Sequence, residues 1–289
     1  MKQITLQDFV IGGGAPFILI AGPCVIEDEE ETREIAIFLK KITGDLKIPL
    51  IFKASYDKAN RTSINSYRGP GLTEGLRILK DIKEELEIPV LSDIHRFEEI
   101  EESSLVLDVM QVPAFLCRQT DFVKEIARSA GIINIKKGQF LAPWDVSNIL
   151  AKVSSTGNEN IMVTERGTSF GYNNLVSDFR AIPIMRDMGY PVIFDVTHSV
   201  QLPGGHGSAS GGEREMVPYL SRAAVAVGID GLFLEVHPDP ERALCDGPNS
   251  LYLDTLPDLL RTLKEIDETV KRQEQPQDSL SKESQRENA

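Results

Sequence analysis

Eight short apolar runs, each followed by a stretch with helical periodicity, constrain this chain of 289 residues more than any other feature. The runs are "FILIAGPC", "PLIFKAS", "PVLSDIH", "LDVMQVPA", "INIKKGQF", "IMVTERG", "PVIFDVTH" and "GLFLEVHP", and each ends near polar residues. Between them the spacing predicts helices near 28–42, 72–86, 119–130, 145–153, 174–188, 214–227 and 256–271, with a short one after His95. The clearest is 72–86, where Leu72, Leu76, Leu79, Ile82 and Leu86 recur every three or four residues among charged positions. Near-continuous apolar strands suit a parallel sheet covered on both faces. Eight strand and helix pairs in about 240 residues are what a closed (β/α)8 barrel, the TIM-barrel architecture, requires. A doubly wound sheet is the alternative, but it would usually place a glycine-rich phosphate turn after the first strand, and none follows here.

Three segments are expected. Residues 1–16, with "GGG" at 12–14, form a small cap over the barrel's bottom, residues 17–271 form the barrel, and residues 272–289 form a tail. The tail is almost devoid of apolar residues and is expected to be disordered.

A net charge of -13 argues against nucleic acid and anionic membrane as partners, since both would be repelled. Small anionic substrates are not excluded, because a local basic pocket can hold them inside an acidic protein. No apolar run approaches the roughly 20 residues of a membrane span, and "MKQITLQDFV" lacks the apolar core of a secretory signal. Three widely separated cysteines make no disulfide framework. Together these features predict a cytosolic location.

The polar residues are biased toward one end of the predicted strands. All four histidines (His95, His198, His206, His237) and all three cysteines (Cys24, Cys117, Cys245) lie at or just after a strand's carboxyl end. That is the catalytic face of a barrel. The cations follow: Lys53, Lys58, Arg61 and Arg68 after strand two, Arg118 after strand four, Lys136 and Lys137 in strand five, and Arg166 after strand six. They predict a basic well suited to a ligand with several phosphates or carboxylates. Any one of them could instead pair with a neighbour such as Asp57, Asp93 or Glu165. Strands one, seven and eight are adjacent in a closed barrel, so Cys24, His198, Glu235 and Asp246 could converge on a borderline divalent cation such as Zn²⁺ or Fe²⁺. A cysteine or histidine taken singly is more often a packing residue, and His237 competes with Glu235 because alternation sends both the same way. The loop "PGGHGSASGG" at 203–212 has the composition of a mobile lid, with a phosphate cradle as its rival. Cys117 and Cys245 have no evident base partner and are expected to be packing residues.

"FKASYDKANRTS", "SYRGPGL", "SDIH", "QVPAFLCRQTD", "NIKKGQFLAPWD", "TERGTSFGYNNLVSDFRAIPIM", "DVTHSVQLPGG" and "EVHPDPERALCDGP" closely resemble, in order, the 3-deoxy-D-manno-octulosonate 8-phosphate synthases. The similarity covers roughly residues 10–265. It implies a homotetrameric barrel that condenses phosphoenolpyruvate with D-arabinose 5-phosphate, releasing phosphate, for the Kdo sugar of lipopolysaccharide. The related 3-deoxy-D-arabino-heptulosonate 7-phosphate synthases of the shikimate pathway are the alternative. They take erythrose 4-phosphate and typically have "KPRTS" where this chain has "KANRTS", so Ala59 and Asn60 discriminate.

The resemblance further implies that Lys53, Lys58, Lys137 and Arg166 hold phosphoenolpyruvate. Asn60, Arg61 and a hydroxyl of Thr62 or Ser63 would hold the sugar phosphate, with Arg61 reaching across a subunit contact. His198 and Asp246 would relay protons, and Lys58 and Asn60 would stand with them as catalytic residues. Cys24, His198, Glu235 and Asp246 match the ligands of the family's metal-dependent branch, whose ion would be Zn²⁺, Fe²⁺ or Mn²⁺. "CDGPNS" at 245–250 is similar to a run common in the metal-free branch, which implies an ion that is bound yet not strictly required. Two other classes compete: a Schiff-base aldolase using Lys136 or Lys137, and a non-catalytic phosphosugar sensor on the same barrel.

Overall fold

The computed structural model describes residues 1–204 and 211–274. Eight parallel strands close on themselves: β1 Ile18–Gly22, β2 Leu50–Lys53, β3 Val90–Asp93, β4 Val109–Val112, β5 Ile132–Lys136, β6 Ile161–Glu165, β7 Val192–Asp195 and β8 Gly231–His237. Each pairs with the next in the chain, and β8 closes the ring by pairing with both β7 and β1. Outside lie α1 Glu29–Leu46, α2 Leu72–Leu86, α3 Ile100–Ser104, α4 Thr120–Ser129, α5 Val146–Ser154, α6 Ala181–Arg186, α7 Val217–Val227 and α8 Leu256–Glu274. The sequence expectation of a (β/α)8 barrel holds. Among the described residues no helix is long and apolar enough to cross a membrane.

The period of two in the strands divides the apolar residues into two cores. Ile18, Ile20, Ile51, Leu91, Val109, Met162 and Phe233 pack inside the barrel. Their alternates Leu19, Ala21, Phe52, Val90, Met110 and Leu234 pack outward against the helices. An antiparallel hairpin, Ile4–Leu6 with Phe9–Ile11, adds Ile4, Leu6 and Ile11 to the inner cluster. The amino ends of the strands are thereby filled with hydrocarbon, and only the carboxyl ends remain for polar chemistry. Gly22 lets β1 and β2 approach there, since a Cβ on it would lie 2.0 Å from the Lys53 carbonyl oxygen.

Two expectations need correction. The helix expected over 174–188 is confined to Ala181–Arg186, because Leu175–Val176 pairs antiparallel with Thr168–Ser169. Gly171 and Asn173 take positive φ in the connection between those strands, a conformation glycine and asparagine tolerate and a helix excludes. At the other end, residues 272–274 belong to α8 rather than to the tail. The rest of the tail lies outside the described residues, as does 205–210, which holds His206 and most of the expected lid.

Candidate active site

The inward parity that stacks isoleucines at the bottom of the barrel continues upward through polar residues. Lys53, Asp93, Gln111, Lys136 and Asp195 share that parity, and all line one cavity of about 360 Å³ at the carboxyl ends of the strands. Lys58, Asn60, Arg61 and Thr62 from the segment after β2, and Arg166 after β6, line it too. Ser63 does not; its Oγ accepts the backbone N–H of Asn65 at 3.2 Å. Parity also separates Lys136, the last residue of β5, from Lys137, which follows it. Lys136 faces the cavity, whereas the buried Lys137 ammonium turns outward to the carbonyls of Leu141 and Gly138 (3.1 and 3.4 Å) and the Glu165 carboxylate (3.4 Å).

A hydrogen-bonded chain crosses the floor below the cations. Ser55 donates to Asp93 at 2.6 Å, Gln111 donates to the other Asp93 oxygen, Asn134 donates to Gln111 at 2.7 Å, and Thr164 donates to Asn134 at 2.7 Å. Burial would raise the Asp93 pKa, but Lys53 and Lys58 outweigh it and hold the carboxyl far below its usual range. Sequence reasoning passed over this chain. Its signal was the inward positions of four successive strands, which carry Asp93, Gln111, Asn134 and Thr164 above apolar residues.

Asp195 organises the other side. It caps the helical turn Val196–Ser199 by accepting the His198 backbone N–H at 3.0 Å, and its other oxygen lies 2.7 Å from His198 Nδ1. In the neutral ring a proton on Nδ1 would leave Nε2 as the free lone pair, which is how a carboxylate behind a histidine orients it as a ligand. Nε2 lies 3.6 Å from Asp246 Oδ2 and 3.7 Å from Glu235 Oε1. Burial lowers the His198 pKa, but Asp195 and Glu235 overcome it and push the imidazole up to about 9.

Glu235 has no solvent exposure. Its Oε1 accepts from Lys53 at 3.2 Å, with the Lys58 ammonium at 3.9 Å. Its Oε2 is buried without a hydrogen-bond partner. Lys53 also donates to the Cys24 carbonyl at 2.8 Å, which ties the end of β1 to the floor. Cys24 Sγ lies 3.5 Å from Asp246 Oδ2. Sulfur, imidazole nitrogen and two carboxylates, one with an orphaned oxygen, are the donor set of a borderline divalent cation. The chemistry of these donors suits such an ion: His198, Glu235 and Asp246 lie within 4.8 Å of one another, and Cys24 meets them through Asp246. His237 does not join them: its Nδ1 accepts the Asp239 N–H at 3.0 Å, and its Nε2 faces Glu31 at 3.5 Å.

Two cysteine expectations divide. Cys117 is a core residue with no solvent exposure, as expected. Cys245 is more than packing: its Sγ sits 2.9 Å from Cys24 Sγ and 2.7 Å from Arg61 Nη1. Arg61 Nη1 thus meets a sulfur of its own chain. Lys136 is ion-paired with Asp195 and lies 3.3 Å above the centre of the Phe233 ring. Burial dominates the Asp195 attraction and brings its pKa down to about 8.

Comparison with known proteins places these residues in context. The model of the DAHP synthetase I family matches residues 1–272. Curated relatives in Geotalea uraniireducens and Geotalea daltonii, each named 2-dehydro-3-deoxyphosphooctonate aldolase, are 64% identical over 271 residues, which is 94% of this chain and 100% of theirs. A relative of the same name in Geobacter sulfurreducens is 62% identical over 270 residues, 93% of this chain and 99% of its own.

Proposed function

The chain belongs to the DAHP synthetase I family, and on that premise we propose that it condenses phosphoenolpyruvate, D-arabinose 5-phosphate and water into 3-deoxy-D-manno-octulosonate 8-phosphate and inorganic phosphate. The observation that carries this reading is the convergence of Lys53, Lys58, Arg61, Lys136 and Arg166 on one cavity in an acidic protein. Two anionic substrates placed side by side need such a set. The relatives' shared name selects the octulosonate reaction over the heptulosonate one, in keeping with Ala59 and Asn60 after β2.

Lys53, Lys58 and Arg166 would hold phosphoenolpyruvate, with Lys136 supplying the cavity charge that the resemblance had given to Lys137. Asn60, Arg61 and Thr62 would hold the sugar phosphate. C3 of phosphoenolpyruvate attacks the aldehyde carbon, its electrons coming from the enol double bond. Water adds at C2, and the tetrahedral intermediate releases phosphate by C–O cleavage. No protein nucleophile is needed. The ammonium and guanidinium groups stabilise charge developing at C2 and at the aldehyde oxygen, and His198 and Asp246 are placed to move protons. Cys24, His198, Glu235 and Asp246 would hold Zn²⁺, Fe²⁺ or Mn²⁺, which supplies Lewis acidity toward the aldehyde or the water when bound. Stripping the protein with a chelator and restoring divalent cation tests whether that ion is required. The product would serve the Kdo sugar of lipopolysaccharide in the cytoplasm, a reducing compartment suited to three free thiols.

Phosphoenolpyruvate carrying ¹⁸O in its bridging position tests the reaction path. The label should leave in the phosphate; label retained in the ketose would sink C–O cleavage. A Schiff-base mechanism has one observation in its favour, the lowered pKa of Lys136. The ion pair with Asp195 keeps that amine an ammonium, and borohydride treatment with substrate is expected to trap nothing on it.

The same group sets an alkaline limit. The pKa of Lys136 falls from 10.5 to about 8, so its charge is complete below that pH and is lost as pH rises through it. kcat/KM for phosphoenolpyruvate should fall about fivefold from pH 8 to pH 9, and Lys136→Arg should flatten this limb. An unchanged limb in that variant would assign it to another group.

A homotetramer is proposed as the working assembly. Phe140, Trp144, Phe170 and Tyr172 are exposed aromatics, and Phe170 and Tyr172 sit at the tip of the hairpin after β6. Phe170→Ala with Tyr172→Ala should weaken assembly by at least tenfold in sedimentation, with the monomer still folded.

A further inference from the structure

We propose that Cys245 is a second thiolate donor to the cation at this site, one that the expected set of Cys24, His198, Glu235 and Asp246 leaves out. The proposal rests on the metal reading above. Two triads of donor atoms share Asp246 at its centre: His198 with Glu235, and Cys24 with Cys245, each triad's atoms lying within 4.8 Å of one another. Cys245 therefore has the same claim by position as Cys24. Its Sγ lies 2.9 Å from Cys24 Sγ, and both thiols are free and buried. Two sulfurs on one tetrahedral Zn²⁺ at about 2.3 Å each stand about 3.8 Å apart, so the pair needs to open by about 0.9 Å to share an ion.

The surroundings of Cys245 are polar, unlike those of a filler. Arg61 Nη1 lies 2.7 Å from its sulfur. The loop that carries it is held in place. Leu244 donates its N–H to Glu27 at 2.7 Å, and Asp246 takes a left-handed φ of 50°, which sets successive side chains Cys245 and Asp246 toward the same partners. The other ion-sized cluster among the described residues, Glu27, Glu31 and His237, is less suited to an ion. The Asp239 N–H occupies His237 Nδ1, so the neutral ring carries its proton on Nε2, the atom that faces Glu31. With a second sulfur the site becomes softer, favouring Zn²⁺ and Cd²⁺ over Mn²⁺.

The test is a Co²⁺ titration of the reduced, metal-free full chain, read by the sulfur-to-metal charge-transfer band, followed by competition with Cd²⁺. Cys245→Ser and Cys24→Ser should each lose about half the wild-type band, and Cys245→Ser should weaken Cd²⁺ binding at least tenfold. Cys117→Ser should change neither. Cys245→Ala, checked like the serine variant by near-UV circular dichroism and thermal unfolding, guards against a folding defect. A full band and full Cd²⁺ affinity in both folded Cys245 variants, with the band lost in Cys24→Ser, would overturn the proposal and leave the metal reading standing. The absence of any sulfur band in the wild type would overturn both.

Discussion

Lys53→Met is expected to lower unfolding free energy by about 3 kcal/mol and to reduce condensation to background. The ammonium is 1% exposed and donates to both Glu235 and the Cys24 carbonyl. Removing it leaves a carboxylate with no solvent exposure short of its closest cation, and breaking a buried pair costs about 3–5 kcal/mol. Lys58 at 3.9 Å and His198 at 3.7 Å offset part of the loss, which sets the low end of that range. Combining the change with Glu235→Gln should restore most of the stability and none of the activity, because the charge is then balanced while the anion-binding group is still missing. Urea denaturation and phosphate release on the same preparations separate the two effects. Independent, additive stability losses in the double variant would contradict the pairing.

Arg166→Ala should do the reverse to stability while damaging catalysis as severely. Arg166 is 7% exposed, its Nη2 reaches only the neutral Gln201 at 3.2 Å, and its Nη1 is buried without a hydrogen-bond partner. Burial lowers its pKa despite Asp195, Asp246 and Glu165, so the charge is held in the folded protein at a cost. On the proposed reading, the substrate's anion would complete it. Removal should leave thermal stability unchanged or slightly raised, and should lower kcat/KM for phosphoenolpyruvate by about 1,000-fold, the loss of two strong charge-assisted hydrogen bonds. KM for arabinose 5-phosphate should move far less. Arg166→Lys should recover little, because an ammonium cannot reproduce the planar pair of donors. A drop in melting temperature with intact phosphoenolpyruvate kinetics would make Arg166 structural.

The opposition between these two residues follows from their partners, Glu235 for Lys53 and only Gln201 for Arg166, whereas their common place in the cavity follows from the barrel's parity, which the sequence could express only in part. The repeat of eight strands and helices was legible, and so was the gathering of cations at the strands' carboxyl ends. Which alternate faced inward was not. Ile18, Ile20 and Ile51 fill the bottom of the barrel, and the same phase carries Lys53, Asp93, Lys136, Asp195 and Glu235 into the upper layers. One residue of phase therefore separates Lys136, which lines the cavity, from Lys137, which turns to the Leu141 carbonyl. Glu235 and His237 share a phase, so only height along β8 distinguishes them: the first reaches His198, the second Glu31. The hydrogen-bonded chain from Ser55 to Thr164 was hidden because each member is a single polar residue whose partner lies on a neighbouring strand. The contacts of Cys245 were hidden for the same reason, since its partners Cys24 and Arg61 are distant in the chain.

The most direct measurement is phosphate release from phosphoenolpyruvate with arabinose 5-phosphate and erythrose 4-phosphate in parallel, each with and without chelator. Release that requires the five-carbon sugar, with kcat/KM at least 100-fold above that for erythrose 4-phosphate, is the result predicted by the cavity, its cations and the shared name of its relatives. Equal or greater turnover with erythrose 4-phosphate, or sugar-phosphate binding without phosphate release, would contradict it.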